Sequence, residues 1–304
     1  MGVADDLTKN GEFIRKDSLF RNFVKKGDGE FPPEKNRYHL YISLACPWAH
    51  RTLIVRKLKG LEDVVGLSVV HYLMLENGWE FTDGPGCIPD TVNNFKFIRE
   101  LYFQSDPSYS GRFTVPVLYD TKTKKIVNNE SSEIVRMFNS EFNEFSKSPE
   151  LDLYPEALRS QIDSWNDVIY HGINNGVYKA GFALTQEAYE PNAKLVYETM
   201  LKVEDLVAKG PGPFLFGEAL TETDIRLFTS LIRHDPVYYF HFKCNLTAVK
   251  DLPNLSLWLK RMYEHGEIKE TVNMEHIKKH YFSSHLQINP TGVVPLYNGP
   301  IIGN

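Results

Sequence analysis

Two kinds of periodicity divide this chain. Up to about residue 148, short apolar runs with strand character alternate with helical patterns; from Leu151 onward the spacing is almost wholly helical and strand-like runs are scarce. Strands need partners for their backbone groups and helices need neighbours for their apolar faces, so the two stretches call for different layers. The expectation is an α/β domain followed by an all-α one. A length of 304 residues suits two ordinary domains, and no internal repeat or low-complexity segment blurs the division.

Within the first half, residues 38–45 read as a buried strand that stops at Cys46-Pro47. A helical pattern follows at once, with Leu53, Val55 and Leu58 among its apolar positions. Proline is tolerated there because a first-turn amide has no intrahelical partner. Residues 64–74 and 114–120 give two more strands, and the charged turn "TKTKK" leads from the latter into "KIVNN". The helical run "SSEIVRMFNSEFN" closes this half. Strand, helix, strand, then a hairpin and a helix is the order a thioredoxin-like sheet requires. An insertion near 76–111 carries the turn "TDGPG" and the amphipathic piece "NNFKFIRELYF".

The second half offers helical candidates over 156–181, 187–209, 220–235 and 254–265, and Thr221-Glu-Thr-Asp224 fits a helix-start box. The last stretch is too rich in proline and glycine to continue a helix. The expected organisation is an N-terminal arm (1–36), a thioredoxin-like domain (37–148), an all-helical domain (149–285) and a C-terminal surface coil (286–304).

A net charge of −5, with no long concentration of lysine and arginine, argues against nucleic acid as a partner. The N-terminus lacks the apolar core of a signal peptide, and no run approaches the ~18 apolar residues that span a bilayer. The expectation is a soluble cytoplasmic protein with no membrane partner. Three cysteines, Cys46, Cys87 and Cys244, stand at unrelated spacings that suggest neither a disulfide framework nor a zinc site.

Cys46 stands out by position. At a helix N-terminus it meets aligned backbone N–H groups and the positive end of the helix dipole, which favour thiolate over thiol, and His50 and Arg51 lie close in sequence. The competing reading is a small inert core residue. "CPWA" has no second cysteine to resolve a mixed disulfide internally, so the resolving thiol has to come from outside, and glutathione is the obvious candidate. Val115-Pro116 lies where thioredoxin-like folds hold a cis-proline that leaves the valine backbone free for a peptide-like ligand; an ordinary edge-strand proline explains the pair equally well. Glu130 and Ser131 open the next helix. Capping alone would account for Ser131, yet a helix N-terminus also binds carboxylates, so Glu130 and Ser131 suit the amine and carboxylate of a γ-glutamyl group.

Taken together, "CPWAHRTLIVRKLKGLEDVVGLSVVH", Gly78-Trp79, "RFTVPVLYD", "IVNNESSEI", "NNGVYKAGFA", "LTETDIRLFTSLIRHD", "HFKCN" and "INPTG" resemble the glutathionyl-hydroquinone reductases, the Xi class of glutathione transferases, from about Gly11 to the end of the chain. The resemblance implies an all-helical glutathione-transferase C-terminal domain and glutathione as co-substrate. It implies attack of the Cys46 thiolate on the sulfur of a glutathionylated aromatic hydroquinone. The leaving carbon must gain a proton, and the resemblance makes Tyr178 the acid, with Tyr238 and Tyr281 near the thiolate. Adjacent Tyr238 and Tyr239 leave open which of the two faces the site. For glutathione the resemblance implies Trp79, Arg112, Phe113, Thr114, Val115, Glu130 and Ser131. It also implies a homodimer built through the helical domain. His276, His280 and His285 are too loosely spaced, and too poor in accompanying carboxylates, to suggest a metal site. Two other readings remain at this level: an Omega-like thioltransferase or dehydroascorbate reductase using the same cysteine, and a non-catalytic ligand-binding protein of the same fold.

Overall fold

The structure, a computed structural model, describes residues 10–301. The first nine residues of the expected arm and the last three of the expected coil lie outside the described residues. The chain divides into two units: one holds Asp17–Asp152 and Gly266–His280, the other holds residues 10–16, Leu153–His265 and residues 281–301.

The first unit is built on a four-stranded sheet of β1 (Tyr38–Ile42), β2 (Gly66–Val69), β5 (Val117–Asp120) and β6 (Lys125–Asn128), in the order β2-β1-β5-β6. β1 runs parallel to β2 and antiparallel to β5, and β5 pairs antiparallel with β6. The parallel pair demands a crossover, which α1 (Pro47–Leu58) supplies. Every residue of β1 is buried, as expected for a central strand covered on both faces. α1 packs against α3 (Ser131–Ser140), while α2 (Ile98–Ser105) packs on β6. α1 stops at Gly60, which takes the left-handed conformation (φ 61°) while Leu61 N–H bonds back to Arg56 O at 2.9 Å. The predicted strand over 64–74 is split: β2 ends at Val69, and Met74–Leu75 forms a separate hairpin (β3) with Gly78–Trp79 (β4). The break follows from pairing, since beyond Val69 the His71 N–H turns to Glu80 O at 2.9 Å rather than to β1.

His39 in β1 is buried, hydrogen-bonds Ser68 Oγ at 2.8 Å, and stands opposite Gly66, where an added Cβ would come within 2.3 Å of the ring. Burial pushes its pKa down to about 4. The unfolded chain therefore takes up a proton near pH 6.5 that the folded protein refuses until about pH 4, so stability falls as pH drops through that window. The expected loss is about 3 kcal/mol, since each tenfold difference in proton affinity between the two states is worth about 1.4 kcal/mol. Denaturant midpoints at pH 7 and pH 4 for wild type and His39→Gln test this: the variant should lose most of that pH dependence, and equal slopes would refute the assignment.

The second unit is helical. It holds α4 (Arg159–Ile169), α5 (Gly176–Gly181), α6 (Gln186–Lys209), α7 (Glu222–Leu231), the short α8 (Tyr239–His241) and α9 (Pro253–Glu264). The single helix expected over 156–181 is interrupted by a π-turn at Tyr170–Asn174. Gly172 lies so close to α6 that a Cβ would meet Thr199 Oγ1 at 2.1 Å, and Asn174 Nδ2 donates to Arg226 O at 3.0 Å and to Ser230 Oγ at 2.8 Å. Tertiary contact, not propensity, sets that break. A second π-turn, His234–Tyr238, follows α7 and contains Pro236. The Thr221–Asp224 box forms as expected: Asp224 accepts from the Thr221 N–H at 3.0 Å, and also from Leu215 N–H at 2.9 Å. The sequence reading did not single out α10 (Met274–Ser284); its signal was Asn273, whose side chain accepts from His276 N–H at 2.9 Å. Residues of α10 up to His280 belong to the first unit and those from Tyr281 to the second. Among the described residues no helix is long and apolar enough to cross a membrane.

Candidate active site

Four residues beyond the end of β1, Cys46 occupies the N-cap of α1 in an extended conformation (φ −76°, ψ 120°), with Pro47 at the first helical position. Its carbonyl accepts the His50 N–H at 3.0 Å, while its thiol makes no capping bond. Cys46 is half-buried, and its Sγ lies 3.5 Å from the carbonyl oxygen of Val115, the residue before the cis peptide bond to Pro116. The other two cysteines differ. Cys244 is buried, and burial pushes its thiol up to about 12; Cys87 is half-buried and burial raises it as well.

The segment expected to bind glutathione is fixed by aromatic residues of α2. Tyr102 Oη donates to Thr114 O at 2.8 Å and accepts the Thr114 N–H at 3.2 Å, and Asn129 Nδ2 donates to the same hydroxyl at 3.1 Å. The Phe113 ring stands edge-on to Tyr102 and Phe103 at 5.5 and 5.2 Å. Tyr109 Oη donates to the Arg112 carbonyl at 2.8 Å. The cap of α3 is Glu130, with Ser131 inside the helix: Glu130 Oε1 accepts from Ser132 N–H at 3.1 Å and from Ser132 Oγ at 3.0 Å, and Oε2 accepts from Ser18 Oγ at 3.3 Å. Arg51 ties the two helix starts together. It is buried, donates to Ser131 Oγ at 3.4 Å and stacks on the Trp48 ring at 4.5 Å. Trp79 is buried and stacked on His280 at 4.7 Å, and His280 Nδ1 donates to the Tyr72 carbonyl at 2.8 Å.

In the helical unit the three singled-out tyrosines meet. Tyr281 Oη lies 2.6 Å from Tyr178 Oη and 3.2 Å from Tyr238 Oη. Burial pushes the hydroxyls of Tyr238 and Tyr281 well above the usual tyrosine range, so both stay protonated at neutral pH. Tyr239 takes no part in these bonds; its ring lies against Phe240 at 5.2 Å. The histidines weighed as metal ligands bond elsewhere: His276 Nε2 to Pro85 O at 2.6 Å, His285 Nδ1 to His241 Nε2 at 3.1 Å. Among the described residues no group of three or more His, Cys, Asp or Glu side chains could hold a metal ion. Sequence reasoning did not find the Arg51–Ser131 link, the Trp79–His280 stack or the Ser18–Glu130 bond. Each joins residues far apart in the chain, and no local pattern announces such a pair.

Residues 45–141 match the family model "Glutathione S-transferase, N-terminal domain" and residues 186–261 match "Glutathione S-transferase, C-terminal domain". The chain belongs to the glutathione S-transferase family. Its place there is the Xi class. It is 50% identical to, and superimposes with a TM-score of 0.93 on, the glutathione-S-transferase Xi of Phanerochaete chrysosporium, over 97% of this chain and 95% of that one. "Glutathione S-transferase omega-like 2" of Schizosaccharomyces pombe is 52% identical over 98% of this chain and 96% of its own length. "Glutathionyl-hydroquinone reductase YqjG" of Escherichia coli is 50% identical over 96% of this chain and 90% of its own length. The glutathione-bound structure of YqjG superimposes with a TM-score of 0.88 at 51% identity, covering 93% of this chain and 92% of that one.

Proposed function

We propose that this protein reduces glutathionyl-hydroquinones to hydroquinones with glutathione as the second substrate. The observation that carries the reading is the placement of Cys46, half-buried at the α1 N-cap with no cysteine three residues on. Its near-full-length similarity to YqjG supplies the substrate class.

The chemistry balances as two displacements at sulfur. The Cys46 thiolate attacks the thioether sulfur, forming the disulfide between enzyme and glutathione; the aromatic carbon–sulfur bond breaks, its electron pair stays on the ring carbon, and that carbon takes a proton from Tyr178. A second glutathione thiolate then attacks the glutathione sulfur of the mixed disulfide, releasing oxidised glutathione and restoring the Cys46 thiolate, while the proton of that second thiol makes good the one given up. Two sulfurs lose the two electrons that the ring carbon gains. For binding, the N-terminus of α3 at Ser131 suits the glutathione γ-glutamyl carboxylate and Glu130 its amine. Arg112 suits a carboxylate in bidentate fashion, Trp79, Phe113 and Thr114 shape the site, and Val115 offers backbone pairing to the peptide. The same reading places the enzyme in the cytoplasm as a homodimer assembled through its helical domain.

A second reading, an Omega-like thioltransferase, is favoured by the similarity to the omega-like transferase of S. pombe. It needs Cys46 but no acid that protonates carbon. Purified protein mixed with glutathionyl-menadiol and excess glutathione decides between them. Equimolar release of menadiol and oxidised glutathione supports the reductase. Absence of menadiol with intact disulfide reduction points to the Omega-like activity, and saturable ligand binding without any turnover points to a carrier.

A further inference from the structure

We propose that Arg15 is a positioning residue for the proton donor Tyr178: its guanidinium is fixed over the phenol ring so that the negative charge left on that ring by proton transfer is held where it forms. The proposal rests on the functional reading above, in which Tyr178 protonates carbon.

The geometry is specific. Arg15 Cζ lies 4.9 Å from the centroid of the Tyr178 ring. Arg15 Nε donates to Asn175 Oδ1 at 2.8 Å, and the Asn175 backbone carbonyl accepts the N–H groups of Tyr178 (3.1 Å) and Lys179 (3.0 Å) at the start of α5. One side chain thus grips both the ring and the first turn of the helix that presents it. The segment carrying Arg15 is itself anchored: Leu184 N–H donates to Gly11 O at 3.0 Å. Gly11 takes φ 78°, and an added Cβ would sit 3.0 Å from Leu184 Cβ. Phe13 is buried against Phe182 at 5.4 Å and Tyr178 at 6.5 Å.

A cation over a ring face interacts modestly with neutral phenol and far more strongly with phenolate, whose charge spreads into the ring. The contact therefore favours the state in which the proton has left. Its effect is separate from that of the hydroxyl cluster, where Tyr281 can donate in the ring plane to the Tyr178 oxygen. Charged or titratable groups around this cluster include Tyr238, the fully buried Arg233 that acts on Tyr238 and Tyr281, and the His241–His285 pair beside Tyr281.

The test compares Arg15→Gln, which removes the charge and keeps a donor for Asn175, with Arg15→Lys, which keeps the charge. Turnover of glutathionyl-menadiol is measured against reduction of 2-hydroxyethyl disulfide, a reaction at the same cysteine that protonates no carbon. Arg15→Gln should lower kcat for menadiol release by about tenfold or more while disulfide reduction changes by less than about twofold, and Arg15→Lys should restore most of the loss. In 13Cζ-tyrosine NMR titrations, the resonance missing from Tyr178→Phe should ionise at higher pH in Arg15→Gln than in wild type or Arg15→Lys. A parallel fall in both reactions, or a lysine variant no better than glutamine, overturns the proposal in favour of a purely structural contact. Should the wild type release no menadiol, the functional reading fails, and the titration alone decides whether the Arg15 charge acts on the ring.

Discussion

Replacing Cys46 by serine should abolish menadiol release and disulfide reduction together, to below about one part in ten thousand of the wild-type rate. An alkoxide is not available at neutral pH, and an oxygen nucleophile cannot form the enzyme–glutathione disulfide through which the proposed mechanism takes both reactions. Loss of folding is not the cause to expect. The sulfur lies 3.5 Å from the Val115 carbonyl and makes no capping bond, and serine is among the preferred N-cap residues. The thermal midpoint should stay level or rise, with a gain of at most about 1 kcal/mol. Mass spectrometry of wild type incubated with glutathionyl-menadiol and no free glutathione should find one glutathione adduct, located on Cys46, and none in the variant. Retained turnover would move the nucleophile elsewhere. Cys87, the other half-buried thiol, would be next to replace, ahead of Cys244 with its buried thiol raised to about 12.

Tyr178→Phe should separate carbon protonation from sulfur exchange. It should lower kcat for menadiol release by about 10²- to 10⁴-fold, the usual worth of a positioned general acid, with KM little changed and disulfide reduction largely kept. The fold tolerates the change because Tyr281 Oη, which loses its 2.6 Å partner, keeps the 3.2 Å bond to Tyr238. The stability cost should be about 1 kcal/mol. Since burial raises Tyr238 and Tyr281 well above the ordinary range, these neighbours stay protonated through neutral pH and should add no titration of their own to the residual activity of the variant there. Menadiol release at the wild-type rate would reassign the acid; Tyr281→Phe and Tyr238→Phe would then be compared in the same assay.

The two predictions draw on different sources. Cys46 was legible because everything that distinguishes it is local. An apolar run ending in Ala45, proline at the next position and a helical pattern beyond fix the corner within a few residues, and the N–H groups of that one helix supply the field at the sulfur. The Thr221–Asp224 cap was legible for the same reason. The tyrosines were not: in a chain with 16 of them, nothing local ranks Tyr178, Tyr238 or Tyr281 above the rest, and only the family resemblance did so. Tyr178 and Tyr281 stand 103 residues apart, and Arg15 and Asn175 stand 160 apart. The helix expected over 156–181 failed where long-range contact overrides propensity, at Gly172 against Thr199 and at Asn174 bonded to Ser230.

By itself, then, the sequence determined the main strands of the sheet and the helix that joins the first two, the division into a sheet-based and a helical half, and the cysteine at the start of α1. These depend on periodicity, turn chemistry and capping, which act over the span of one element. Only the tertiary structure decided which hydroxyls share a proton network, that Glu130 caps α3, that Trp79 stacks on His280, and that Arg15 lies over Tyr178. Side-chain hydrogen bonds and ring contacts act only within a few ångströms, and the packing of distant segments, which no local pattern encodes, sets those distances.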